Sequence, residues 1–159
     1  MQGHDEKVSF LKDGFVPLLR QIPPGMPPLF GKMSVQHMIE HFADAVKIAS
    51  GKITIAELFT PVENLPRMLH FLVSDKPFSE NLPNPLIPQT PAPVRQKSID
   101  EAIAKLKKEI DFFFDVFETN NQQQTRNPFF GDLNFEQNVQ LLYKHAVHHL
   151  RQFGVAVQS

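Results

Sequence analysis

The stretch from Ser98 to Phe117 constrains the fold most, because it reads as one long amphipathic helix that is incomplete without partners. Ile99, Ile103, Leu106, Ile110, Phe113 and Phe117 recur at alternating spacings of four and three residues, which aligns them on one apolar stripe facing other helices. Ser98-Ile99-Asp100-Glu101 matches a capping box, in which the Ser and Glu side chains satisfy each other's orphan amides. Lys105, Lys107, Lys108 and Asp115 fall largely outside the stripe and read as a solvated face. Glu101 and Lys105 stand in the favourable i, i+4 order.

A second helix is predicted from Ser34 to about Ser50, ended by Gly51, with Met33 and Met38 placed as a hydrophobic staple across its start. The last helix is predicted from Asn134 to about Phe153. A shorter one starts near Asn64, a choice that leaves Pro66 in the first turn, where a missing N–H is harmless, and frees Met68, Leu69 and Leu72 to pack. An N-terminal helix from Asp5 to Asp13 is expected to break at Gly14 and Pro17, before Leu18, Leu19 and Ile22. Pro-rich connections cover residues 21–32 and 75–97, the second holding Pro77, Pro83, Pro85, Pro88, Pro91 and Pro93. Proline limits the entropy such a connection retains, so it reads as an ordered crossover at the end of a bundle rather than a domain linker. The polar run Asn120 to Thr125 reads as a loop. Together these segments predict one all-α domain over residues 1–159, with four or five helices in one bundle.

The bulk properties exclude several functions. The chain has 159 residues and a formal net charge of -1, and no run of Lys and Arg suggests the phosphate neutralisation on which nucleic-acid binding relies. There is no cysteine, which rules out disulfides, Cys-ligated zinc and a protein thiolate nucleophile, so that any thiol chemistry needs a small-molecule thiol. No apolar stretch approaches the ~18 residues of a spanning helix, and Met1 to Lys7 lack a signal peptide's apolar centre. A soluble, cytoplasmic protein is the expectation, with a small molecule as its partner and neither nucleic acid nor membrane.

Chemistry is concentrated in the histidines. Of the 7 in the chain, His37 and His41, then His145, His148 and His149, fall at helical spacings. Residues four apart on a helix differ by about 40 degrees and are roughly 6 Å apart along the axis, so His145 and His149 can reach one ion. On the last helix Phe135, Val139, Leu142, Ala146 and Phe153 mark the apolar stripe. Measured from Leu142 at ~100 degrees per residue, His145 falls near -60, His149 near -20 and His148 near -120. Two of the three therefore face the core and His148 points to its flank, while Lys144 and Arg151 lie almost opposite the stripe and are expected to face solvent. On the Ser34 helix, Met38, Phe42, Ala45, Val46 and Ala49 make the apolar sector, with His41 at its border and His37 farther out.

Three neutral imidazoles meeting between helices would suit a transition metal with an open position. Such a metal can lower the pKa of bound water to about 7 or hold a thiolate. Three imidazoles discriminate metals weakly, so zinc is the first choice and nickel or manganese the alternatives. The spacing alone equally allows core histidines satisfied by backbone or Gln partners. Asp44, one turn from His41, and Gln152, one turn from His148 and His149, are candidates to orient the imidazoles, as is His148; capping or solvated roles suit Asp44 and Gln152 as well. Tyr143 and Glu40 are candidate proton donors by proximity in sequence alone. His4 and His70 lack a partner at ligand spacing.

Gly31-Lys32-Met33-Ser34-Val35-Gln36-His37-Met38-Ile39-Glu40-His41-Phe42-Ala43-Asp44 resembles the second helix of the DinB/YfiT-like superfamily. Asn127-Pro128-Phe129-Phe130-Gly131, followed by Tyr143-Lys144-His145-Ala146-Val147-His148-His149-Leu150-Arg151-Gln152-Phe153-Gly154, resembles its closing segment, particularly in a bacterial subgroup. In that family a His followed by an apolar residue, a small residue and Asp supplies one metal ligand. His-x-x-His-His supplies two more through its first and last His. The resemblance thus implies His41, His145 and His149 as ligands, a four-helix bundle with a long crossover, and a homodimer. The activities it implies are metal-dependent transfer or isomerisation with low-molecular-weight thiols, or hydrolysis. The family name reflects induction after DNA damage, a stress response, and not DNA binding. A non-catalytic stress-response or small-molecule-binding bundle is the competing reading. The Pro-rich 75–97 connection departs from the better-known thiol transferases and leaves the substrate open.

Overall fold

The computed structural model describes residues 3–80 and 92–157, and it is mostly helical with one short two-stranded sheet. The chain order is α1 (His4–Ser9), a π-turn (Phe10–Gly14), α2 (Phe15–Gln21), α3 (Val35–Ser50), α4 (Leu65–Val73), α5 (Ile99–Thr119), β1 (Thr125–Asn127), β2 (Gly131–Leu133) and α6 (Phe135–Gln152). A 3-10 turn, Val62–Asn64, leads into α4, whose first turn contains Pro66 as the sequence predicts. Among the described residues no helix is long and apolar enough to cross a membrane. Of the Pro-rich crossover, Pro83, Pro85, Pro88 and Pro91 lie outside the described residues.

The caps explain where the long helices begin. The Ser34 hydroxyl accepts from the His37 amide, while the Ser34 amide donates to His37 Nδ1, so an imidazole closes the box on α3. Asn134 and Gln137 make the equivalent exchange at the start of α6, each bond 2.9 Å long. Ser98 accepts from the Glu101 amide at 3.1 Å, but the Glu101 carboxylate accepts from Lys97 instead of Ser98, so the box read in the sequence is half made. Gly51, at φ +82, ends α3 in the left-handed conformation that costs glycine least.

Two stretches differ from the sequence reading. The N-terminal helix does not break at Gly14 and Pro17, because the Phe15 amide reaches back to the Phe10 carbonyl in a π-turn and the helix resumes through Gln21. Proline has no N–H and its ring crowds the carbonyl four residues earlier, a misfit that a widened turn absorbs. The all-α expectation also misses the antiparallel pair β1–β2, registered Thr125 to Leu133 and Asn127 to Gly131. Asn127 Oδ1 accepts from the amides of Phe129 and Phe130, and Gly131 takes φ +79, so side-chain turn chemistry folds the hairpin.

The apolar stripe of α5 is buried from Ile103 to Phe117 and packs chiefly against α3. Phe15, Met38, Phe42, Val139, Leu142 and Leu150 complete that core. A second cluster, Leu72, Phe130, Leu133 and Leu141, joins α4 and the hairpin to α6.

Lys144 is the clearest correction, since it is buried instead of facing solvent. Its ammonium donates to the carbonyls of Phe71 at 2.9 Å and Ser74 at 3.2 Å, and lies 4.0 Å from the centre of the Phe71 ring. A cation at these C-terminal carbonyls also complements the helix dipole of α4. Lys144→Met keeps the length and deletes the donor, so it should cost about 1–3 kcal/mol in urea unfolding and speed amide exchange in the last turn of α4. Unchanged stability and exchange would show that Lys144 does not hold that helix end.

Candidate metal centre

α3 and α6 bring three ring nitrogens together. His145 Nε2 is 2.8 Å from His149 Nε2 and 3.2 Å from His41 Nε2, and one ligand atom from each ring falls within 4.8 Å of the others. Three imidazole nitrogens around one zinc at ~2.0–2.1 Å in tetrahedral geometry lie roughly 3.3 Å from one another, near the two separations seen from His145. Hydrogen bonding among the rings satisfies them less well. A neutral His145 carries at most one proton on Nε2, which would have to be divided between two neighbours, whereas one cation accepts all three lone pairs at once.

The protonation of His149 follows from its neighbour. Gln152 donates its amide N–H to the Phe30 carbonyl at 3.0 Å, which turns its oxygen toward His149 Nδ1 at 2.8 Å. That oxygen can only accept, so Nδ1 carries the proton and Nε2 presents its lone pair to the other two rings. The loop beneath is shaped for this bond. Gly31 has φ +76, and a Cβ there would lie 2.9 Å from Gln152 Nε2; the Leu29 amide also donates to the Gln152 carbonyl at 2.7 Å. The roles of Phe30 and Gly31 were missed by the sequence reading, where a glycine three residues before a helix cap was the only visible signal.

The other candidates separate clearly. Gln152 bonds the His149 imidazole, but Asp44 bonds neither His41 nor the other two rings, because its carboxylate pairs with Arg95 at 3.0 Å and reaches His41 only through its field. His148 stands edge-on to the His149 ring, 5.1 Å between centres, with Phe30 and Phe78 on its other sides. It buttresses the centre by packing, and its buried Nδ1 has no hydrogen-bond partner among the described residues. Glu40 is no proton donor. Burial pushes its carboxyl up, yet the amides of Gln96 and Arg95, the Gln36 amide and the Arg95 guanidinium together carry it below the usual carboxylate value. The ionised Glu40 anchors the end of the crossover, accepting from the Arg95 amide at 2.7 Å and the Gln96 amide at 3.0 Å. Tyr143 packs edge-on against Phe10 and under the Lys7 ammonium. His37 caps α3, His4 packs on Phe135 and His70 is exposed.

The site electrostatics favour neutral ligands. Burial pushes His149 down to about 3, reinforced by His41 and opposed by the Gln152 bond. It pushes His41 down to about 4, against the pull of Asp44. His145 falls well below its ordinary value through burial and the neighbouring imidazoles. At neutral pH all three are unprotonated and able to ligate. His149 is buried, whereas His41 and His145 keep part of their surface open to solvent.

No protein-family model matches the chain, and no curated protein or solved structure is found similar to it.

These imidazoles bind a proton near pH 6.5 when unfolded, but when folded His41 does so only near 4 and His149 only near 3, and burial holds His145 well below its ordinary value. Their contribution to stability is therefore complete above about pH 6.5 and is lost as pH falls toward 4. Thermal unfolding of chelator-treated protein should show a midpoint that drops across this window. A His41→Asn/His145→Asn/His149→Asn variant should show a shallower drop, and equal slopes would mean that the rings are not buried in neutral form.

Proposed function

We propose that the chain binds one divalent metal ion through His41, His145 and His149 and uses it in an enzymatic reaction on a small electrophilic substrate. The convergence of three Nε2 atoms, with Gln152 fixing the His149 lone pair, carries this reading. Zinc is the first choice and nickel or manganese the alternatives, since imidazoles suit all three. When bound, such an ion supplies Lewis acidity and a nucleophilic water or thiolate at neutral pH. The protein side of the chemistry is positional. His41 comes from one helix and His145 and His149 from another, so the packing of α3 on α6 sets the ligand geometry. Gln152 and Phe30 hold His149 in one tautomer, and Phe42, 5.0 Å from His145 between ring centres, makes an apolar wall behind the ligands.

The resemblance of residues 31–44 and 143–154 to DinB/YfiT-like proteins supports the same ligand set. On that basis we assign the chain to that superfamily, with its four-helix bundle and long crossover. S-transfer or isomerisation with a low-molecular-weight thiol is one activity the resemblance implies, and a chain without cysteine would draw that thiol from outside. Hydrolysis by a metal-activated water is the alternative.

Metal analysis by mass spectrometry on untagged protein purified without added metal should find close to one equivalent. His145→Ala and His149→Ala should each lose at least 90% of it, and Gln152→Leu should weaken affinity about 10- to 100-fold while leaving the ligands in place. Folded wild-type protein that carries no metal and rebinds no zinc, nickel or manganese would instead favour a satisfied histidine core and a non-catalytic role.

A further inference from the structure

A cleft of about 350 Å³ runs along α6 beside His148, between that helix, the start of α1 and the segment Ser74–Phe78 that follows α4. Its charge is unusual. Lys7 and Lys144 are both buried in its wall, yet among the described residues neither has a carboxylate at ion-pair distance. Buried ammonium groups are normally paired, because an uncompensated charge in a low-dielectric setting is costly. Lys144 is met by backbone carbonyls at the end of α4. Among the described residues Lys7 has as hydrogen-bond partner the neutral Gln140 oxygen alone, at 2.6 Å, which leaves donors for another partner. Arg151 and Lys76 line the same cleft, also without an ion pair among the described residues, against Asp75 as the acidic side chain in the lining.

A second cleft, between α3 and α5, makes the contrast. Arg95 in it is matched by Glu40 and Asp44 and Lys47 by Asp44, while Lys105 and Lys108, which form no ion pair among the described residues, are exposed to solvent. The α6 cleft differs in that two of its cations without an ion pair, Lys7 and Lys144, are buried. Phe78 and Val147 add apolar surface to it, and its size is at the lower end of that for small-molecule sites.

We propose that this cleft binds a small organic acid, with the carboxylate on Lys7 and Arg151 and the carbon skeleton against Phe78 and Val147. The same Phe78 ring lies 6.0 Å from His148 and 6.3 Å from His145, so the cleft and the metal centre share a wall. A ligand anchored by its carboxylate extends past that wall toward the histidines. That the acid is the substrate of the metal centre rests on the function proposed above; the binding itself does not.

The test is a titration of 4-phenylbutyrate into the protein as purified, with its metal content measured on the same sample, followed by amide NMR shifts. The uncharged 4-phenylbutanol and inorganic phosphate serve as comparison probes. Saturable shifts at Val147, His148 and Arg151 are expected for the acid, with the alcohol and phosphate binding at least tenfold more weakly. Arg151→Gln should weaken the acid at least fivefold, and Lys108→Gln, in the other cleft, should leave it unchanged. The proposal is overturned by absence of binding, by equal affinity for the alcohol or for phosphate, or by an Arg151→Gln affinity equal to wild type. A sample that binds the acid but neither carries metal nor rebinds zinc, nickel or manganese would sink the metal reading and leave the cleft intact. A metal-loaded sample that ignores the acid would do the reverse.

Discussion

Three sectors of α6 are each committed to a different neighbour, and the rest of the molecule is arranged around that constraint. Val139, Leu142, Ala146 and Leu150 enter the main core. Leu141 joins the second cluster with α4 and the hairpin, and Gln140 and Lys144 bond to carbonyls between Phe71 and Ser74. His145 and His149 turn toward His41 of α3. A helix repeating every 3.6 residues can serve three partners only if each set of side chains keeps its own angular sector. A register slip of one residue would carry the ligands about 100 degrees away from α3 and expose the core stripe at the same time.

The angular bookkeeping of single helices recovered much of this. Caps at Ser34, Ser98 and Asn134 and the stripe from Ile103 to Phe117 were legible, because hydrophobic period and capping chemistry are local properties. His41, His145 and His149 were legible for the same reason. What one helix cannot disclose is which second element covers its far side. Lys144 lies opposite the main stripe and was read as solvent-facing, yet α4 covers it. Asp44 was placed correctly one turn from His41, but its partner Arg95 arrives from 51 residues away in sequence. The hairpin escaped because strands of three residues are too short for their alternation of burial to stand out as a period in the sequence, and the Asn127 side-chain turn that folds them leaves only a weak trace.

A metal bound at this centre would tie its affinity to folding. Three imidazoles held neutral by burial are a liability below their ordinary pKa, since the unfolded chain takes up protons that the folded chain refuses. An ion bound by the same lone pairs would offset that cost and stabilise the native state by mass action. The polar contacts around it are few and mutually fixed. Phe30 sets the Gln152 amide, Gln152 sets the His149 tautomer, and Gly31 lets the loop approach closely enough for both.

The most direct measurement is nitrogen-15 NMR of the histidine rings, recorded on chelator-treated protein and again after one equivalent of zinc. The account predicts that His149 begins with its proton on Nδ1 and a bare Nε2, and that Nε2 of His41, His145 and His149 all move to metal-bound shifts at one equivalent. A proton found on His149 Nε2 before zinc, or rings that keep their shifts after it, would contradict the account and return the three histidines to the hydrogen-bonded core.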